Sequence, residues 1–451
     1  MTRAAWISCD DAQLAVECAT IAASLGIPVE PRIDDAPLAH AAAAHDGPLA
    51  VALATPPTPE ALVRLAAGRP AGAPPLALAV VASTDAARRA RVLASDLGLA
   101  TVDEVEPLLA VLALLAAGAE APWTASVRGL SALDRARLGP MEAGRTGGRF
   151  EPADDGRLAW RGRPRSDAAV IGRPAPVGAA VEALRLRTLA APRARATVDG
   201  VDRRAVHDVL FGPPRALSDP ASKSALAPYG LPLPLEELCG SPSRAAAEAS
   251  RIGFPVRISL ASPDLRIWDH PDLAVDGVDN AARVRDVYRQ VMVLASERQP
   301  DARLLGVHVT ATTAALAVLR VVAEPLPEGY VLTEIGFADP HGEASRDRTS
   351  TVLPAGPDAI ERVLSRLAAA DLLLAGTPAQ RKSAVGGIAD VLLRVAAFVC
   401  DHAEEVERVE IHPLAVLIGG GIEAREACVT VGDAFLRTLR APARRAGATG
   451  G

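Results

Sequence analysis

Three pairs of residues in this 451-residue chain have types and spacings that could do chemistry. Arg257 and Ser259 stand two apart in VRISLA, a run that predicts a strand, so both side chains leave one face. A guanidinium fork beside a hydroxyl suits an anion such as phosphate; the competing reading is a solvated strand arginine. Glu410 and His412 alternate in the same way within VERVEIHPLAVL. A Glu-x-His pair can hold a divalent cation, although magnesium prefers oxygen to imidazole, and the pair could instead brace the strand before Pro413. Glu343 and Asp347 lie four apart in a charged segment, where cofactor contacts compete with simple solvation. His270, set between Asp269 and Pro271, reads as a turn histidine and not as a nucleophile. Only two lysines occur, Lys223 and Lys382, and neither falls on an expected strand, so a strand-borne grip on phosphate must come from arginine.

The elements that must position these residues fall into two regular regions. Over residues 1–117 the apolar patterning predicts strands at 4–8, 27–30, 48–54, 75–82 and 99–101, with helices at 12–25, 59–67, 86–97 and 105–116. Runs without alternation, such as LALAVVA, suit parallel strands covered on both faces, which points to a flavodoxin-like, doubly wound parallel α/β sheet. From 201 to 440 strands are expected at 304–309, 316–323, 330–335, 409–417 and 428–431, and helices at 282–296 and 388–399. Between the two regions, 118–200 is rich in Gly, Pro and Arg and reads as a linker with one hairpin (149–151 with 157–160) and a helix near 177–190. The tail 441–451 reads as disordered.

Composition narrows the function classes. A hydrophobic fraction of 49% supports full cores in two or three domains. No long uncharged apolar run predicts a membrane span, and the N-terminus lacks a signal-peptide profile. Five cysteines without CxxC spacing read as reduced thiols, which suggests a cytoplasmic protein. A net charge of −6 argues against a nucleic-acid partner. The excess of arginine over lysine, with abundant alanine, looks like the product of a GC-rich bacterial gene.

Five segments of the second region carry a family resemblance. ASKSALAPYGLPLP follows the pattern EaK-lLa-YGIPv, and RIGFPVRISLASPDL follows GFPVvlKivSPDi. TEIGFADPHGEASRD lines up without gaps on GLGGvlvEllkD, LLLAGTPAQRKSAVGGIADVLLRV on LLrGyRGrpp and its helix, and VERVEIHPLAVL on elDiNPLlv. From about 203 to 435 the chain thus resembles the ATP-grasp half of the NDP-forming (ADP-forming) acyl-CoA synthetases, which include acetate–CoA ligases. The resemblance implies a two-lobed ATP-grasp domain over 201–440. It also implies ATP and Mg²⁺ as cofactors, CoA or acyl-CoA as a partner, and the reaction acid + CoA + ATP giving acyl-CoA + ADP + phosphate.

The departures from the family pattern concern chemistry, which makes the implied enzyme a degenerate one. The phosphate-contacting strand lysine falls on Ser259, and the phosphoryl-relaying histidine falls on Ile267, with its lysine on Trp268 and its paired glycines on Asp272 and Leu273. Gly336 is kept, but the next glycine pair becomes Ala338 and Asp339, and an RG pair becomes Pro378 and Ala379. The metal strand's Asp and Asn become Glu410 and His412, whereas Glu343 and Asp347 are retained. Losing two lysine contacts removes about 3–6 kcal/mol, enough to turn a micromolar nucleotide site into a millimolar one. Residues 1–117 look like the end of a CoA-ligase domain without its SHTGA loop, or like a response-regulator receiver in which Asp10-Asp11 follow the first strand. The resemblance leaves two outcomes, an impaired ligase or a non-catalytic scaffold whose N-terminal domain meets a protein partner. A surviving site requires Arg257 from the small lobe to converge with Glu343, Glu410 and His412 from the large lobe, with Glu410 and His412 lining the opposite wall of an interlobe cleft, while Trp268 and Phe337 are the side chains expected to fill a dead one.

Overall fold

Short apolar strands separated by helices with one buried stripe leave little choice but a layered α/β arrangement. Strands β1 (Ala5–Cys9), β2 (Val29–Ile33), β3 (Leu49–Leu53), β4 (Leu76–Val80) and β5 (Ala100–Val102) form one parallel sheet in the order β2-β1-β3-β4-β5. Helices α1 (Ala12–Leu25), α2 (Pro37–Ala42), α3 (Pro59–Gly68), α4 (Asp85–Asp96) and α5 (Val105–Ala116) connect and follow the strands. That order is the flavodoxin-like one, shared by receiver domains. The buried residues of β4 are uninterrupted, as expected for a strand covered on both faces. Helix α2 was not anticipated, because six residues of PLAHAA are too few to show a period.

These are the features of a computed structural model, which describes residues 5–116 except 26, 28, 44–48 and 70–75, the stretches 149–152, 158–162 and 166–170, positions 179 and 183, and residues 196–440 except 268, 339–343, 356, 375–376 and 419. Trp268, Glu343, most of the helix expected near 177–190 and the 441–451 tail therefore lie outside the described residues. The chain divides into two compact units, 1–193 with 326–328, and the remainder. The first unit also holds a three-stranded antiparallel sheet of β6 (Arg149–Pro152), β7 (Leu158–Gly162) and β8 (Ser166–Val170), one strand more than the hairpin read from sequence.

The second unit has two lobes. In the small lobe β10 (Glu236–Cys239), β11 (Val256–Ala261), β12 (Ala274–Val278) and β13 (Gly306–Ala311) make a sheet in the order β10-β13-β11-β12. Apolar residues of this sheet, among them Val256, Ile258, Val307 and Val309, share a core with Ala245 and Ala249 of the helix Pro242–Ile252 and Val287 and Val291 of the helix Ala281–Arg298. The large lobe is a seven-stranded sheet that includes β9 (Arg215–Ala216), β14 (Ala315–Pro325), β15 (Val331–Ala338), β16 (Ala344–Leu353), β17 (Val406–Leu417), β18 (Ile422–Ala424) and β19 (Ala427–Val431). Its core holds Leu319, Val321, Ile335, Val409 and Ile411 together with Ile388, Leu392, Val395 and Phe398 of a 24-residue helix, Pro378–Asp401. That helix is long and apolar enough to cross a membrane by length and composition, but its apolar side is spent on this core.

Candidate functional site

Strand alternation builds one wall of the site. With Val256, Ile258, Val307 and Val309 committed to the small-lobe core, Arg257, Ser259, His308 and Thr310 point to the opposite face of the sheet. Glu236 pairs with Thr310 in register and lies on that same face. Gly306 starts β13 at φ +129°, where a Cβ would collide with the carbonyl of Cys239. A residue without a side chain is therefore needed for β13 to approach β10 at this end and bring His308 beside Glu236.

The other wall comes from the large lobe. Asp219 and Lys223 lie on the helix Asp219–Leu226, whose Ala225 and Leu226 enter the large-lobe core. Two bonds tie its first turns to β19: the Ala427 amide donates to Asp219 Oδ1 at 2.7 Å, and the Val429 amide donates to the Ser222 hydroxyl at 3.0 Å. At the helix's far end, Gly230 adopts the left-handed conformation (φ +77°) against the Arg394 guanidinium, which donates to the Tyr229 carbonyl at 2.9 Å. Arg425 and Glu426 lie between β18 and β19 and complete the wall.

The two walls are joined by ion pairs. Lys223 Nζ donates to both oxygens of Glu236, at 2.8 and 2.6 Å, and to the Arg425 carbonyl at 2.6 Å, and lies 2.9 Å from Asp219. Burial works against its charge, but Asp219 and Glu236 outweigh it and hold the ammonium above the ordinary lysine value. Arg257 donates to Asp276 at 2.9 Å and, across the seam, to Glu426 at 3.2 Å. Burial pushes the Glu426 carboxyl up to about 7, with Arg257 opposing the shift and Asp219 adding to it.

The residues singled out in the sequence have definite places, apart from Glu343 and Trp268, which lie outside the described residues. Arg257 and Ser259 line the seam. The carboxylate facing Arg257 is Glu426, in place of the Glu410 and His412 wall expected from the two-lobed frame. Glu410 is taken by Arg320 of the adjacent β14, at 2.6 Å, with Arg408 at 3.6 Å. His412 is buried on the same strand, and burial, helped by Arg320 and opposed by Glu410, keeps it below the ordinary histidine value. Asp347 accepts from the amides of Ala368 and Ala369 at 2.7 and 2.8 Å, bracing a turn. Phe337 packs on the large-lobe core, so it is not the side chain that fills the seam. In the first unit, Asp10 accepts from the Ala54 and Thr55 amides at 2.7 and 3.0 Å, and Asp11 caps α1.

Lys223, Glu236, His308 and Glu426 were not singled out as site residues. The one available signal was a histidine alternating with valines in GVHVTA, a polar residue facing away from a core.

The arrangement tests whether ATP and Mg²⁺ fit. Two cavities line the seam with about 20 and about 30 Å³ of room. Nucleotide-sized ligands occupy pockets of about 300–1,000 Å³. Both of the Arg257 amino groups are engaged by carboxylates, and Glu410 already holds an arginine where a metal ligand would need an open oxygen. As arranged, these residues do not fit the magnesium nucleotide.

Comparison with known proteins supplies the frame. Residues 208–431 match the family described as ATP-grasp domain. The beta subunit of acetate–CoA ligase [ADP-forming] II from Pyrococcus furiosus is 23% identical over 47% of this chain and 89% of its own length. The 4-hydroxybutyrate–CoA ligase [ADP-forming] of Nitrosopumilus maritimus is 22% identical over 45% of this chain and 29% of its own. Among solved structures, the Ca. Korarchaeum cryptofilum dinucleotide-forming acetyl-coenzyme A synthetase 1, in complex with coenzyme A and Ca-AMPCP, covers 48% of this chain and 93% of its own, at 22% identity and a TM-score of 0.41.

Proposed function

Residues 208–431 form an ATP-grasp domain, and from that premise we propose an ADP-forming acyl-CoA synthetase-like protein whose ligase chemistry is impaired or lost. Its ATP-grasp module serves as a binding platform. The parent reaction joins an acid to CoA at the expense of ATP, through an acyl phosphate and a phosphohistidine. It needs cations on the transferring phosphates and a histidine to relay the phosphoryl group. In this chain the relay position is Ile267, buried in the small-lobe core, and the strand-lysine position is Ser259.

The observation that carries the reading is the Arg257–Glu426 ion pair. A phosphate-gripping arginine would face an open cleft. Here it ties the lobes together, and the space beside it is the size of a water molecule. On this reading Arg257, Ser259, Glu410 and His412 hold the lobes and strands in place, and Glu343 and Asp347 no longer meet a nucleotide, Asp347 bracing a turn instead. The flavodoxin-like unit is the surface for a CoA thioester or for a protein partner.

Calorimetric titration of the full chain with ATP–Mg²⁺ tests the reading, together with a thioester assay on acetate or branched acids with CoA and ATP. The expected result is affinity weaker than about 1 mM and no thioester above blank. Micromolar ATP binding, or a phosphohistidine formed from radiolabelled ATP, would refute it.

A further inference from the structure

The seam holds a histidine, His308, that the nucleotide reading does not use and that meets its carboxylate neighbours only at long range. His308 is buried, with 5% of its side chain exposed, and neither ring nitrogen has a hydrogen-bond partner among the described residues. A buried imidazole with no hydrogen bond at either nitrogen has lost its hydration without direct replacement, which leaves both nitrogens open to a ligand. Its Nδ1 faces Glu236 at 3.6 Å and its Nε2 faces Asp219 at 3.8 Å, too far for hydrogen bonds. One donor atom from each of Asp219, Glu236 and His308 can be chosen so that all lie within 4.8 Å of one another.

Charge points the same way. Around this cavity stand four carboxylates, Asp219, Glu236, Asp276 and Glu426, against Lys223 and Arg257. Arg425, the remaining cation, is matched by Glu423 at 3.5 Å. With Glu426 ionised the cluster carries an excess of two negative charges before the imidazole is counted, and with Glu426 protonated an excess of one, and a divalent ion offsets either. The room of about 20 Å³ admits an ion and excludes a larger ligand.

We propose that Asp219, Glu236 and His308 form an interlobe site for a divalent transition-metal cation of the Zn²⁺ class, with the Lys223 ammonium as its built-in competitor. Two carboxylates and one imidazole make a set that Zn²⁺ accepts and Mg²⁺ does not favour. Tetrahedral donors about 2.0–2.2 Å from zinc lie about 3.3–3.6 Å apart, so separations of up to 4.8 Å close by at most about 1.2–1.5 Å on loading. Lys223 now lies between the two carboxylates, and it can yield them while keeping its bond to the Arg425 carbonyl. Asp219 comes from the large-lobe side and Glu236 and His308 from the small-lobe sheet, so the ion would bind the lobes to each other without any nucleotide.

The test titrates the purified full chain with Zn²⁺ against a chromophoric chelator, and with Co²⁺ for its visible d–d bands. One ion per chain is expected. His308→Gln should weaken Zn²⁺ at least tenfold and abolish the Co²⁺ bands, and Lys223→Met should tighten Zn²⁺ at least tenfold. Far-UV circular dichroism checks that each variant folds. If Lys223→Met does not fold, the wild type and His308→Gln decide the matter between them. No stoichiometric uptake by the wild type, or a loss smaller than tenfold in folded His308→Gln, overturns the proposal.

Discussion

Replacing Glu426 with glutamine should make the protein more stable at pH 8 and leave it nearly unchanged at pH 5. The carboxyl is almost fully buried and its ionisation is pushed up to about 7, chiefly by lost hydration. Its ordinary value is 4.5, so the folded chain holds this proton more tightly than the unfolded chain does. A group raised in the folded state contributes stability that is complete below its unfolded value and is lost as pH rises through its folded one. The affected window runs from about pH 4.5 to 7, and about 2.5 pH units at 1.36 kcal/mol each give roughly 3 kcal/mol. Glutamine mimics the protonated carboxyl and does not titrate, so the variant escapes that loss. Urea denaturation of both proteins at pH 5, 6, 7 and 8 reads the difference directly, since other titrating groups cancel between them. The stability gap should open by about 2.5 kcal/mol in favour of Glu426→Gln between pH 5 and 8, since part of the window lies below pH 5. A gap that stays constant with pH, or that opens in favour of the wild type, would refute the burial argument.

Two further outcomes follow from the same contacts. Arg257→Ala strands Glu426 and should destabilise the protein by about 3–5 kcal/mol at pH 8, the range for breaking a buried pair. In a double-mutant cycle, most of that loss should return when Glu426→Gln is added, and independent losses would show that the two side chains do not interact. Asp264 is held at about 2 by the side chain and backbone amide of Arg303, so its carboxyl carbon resonance should remain that of the ionised form at pH 3. Arg303→Ala should return it toward the ordinary carboxylate range, and an unchanged titration would remove Arg303 as the cause.

What the sequence disclosed and what it withheld divide along a physical line. Local rules fixed the frame. Tyr229-Gly230 ends a helix because glycine tolerates φ +77°, and LALAV lies inside a sheet because it has no polar face. VRISLA sends Arg257 away from the small-lobe core by simple alternation. The seam obeys no local rule. Lys223 and Glu236 are 13 residues apart, but Arg257 and Glu426 are 169 apart, and Glu426 sits in a short charged loop that carries no period. The pairing of Glu410 with Arg320 depends on the register of β17 on β14, where Val322 lies opposite Glu410. Nothing in VERVEIHPLAVL could reveal that its glutamate was already engaged.

That distribution explains why the replacement of a strand lysine by serine was a weaker guide than the acids around it. A lysine lost from an open cleft leaves a site with reduced affinity, which a neighbouring arginine could restore. Arg257 occupies the right face of the right strand for that task. Yet its guanidinium sits between Asp276 and Glu426, and a phosphate could claim it only by displacing one carboxylate and leaving another beside an added negative charge. At 3.2 Å, within a largely buried site, the Arg257–Glu426 contact is worth more than its exposed counterpart to Asp276, which has 66% of its side chain in solvent. Phosphate would therefore have to compete with the stronger of the two pairs to reach the interior. Mutating Glu426 removes that competitor while keeping Arg257, so Glu426→Gln is also the variant in which any latent phosphate affinity of this seam should first become measurable.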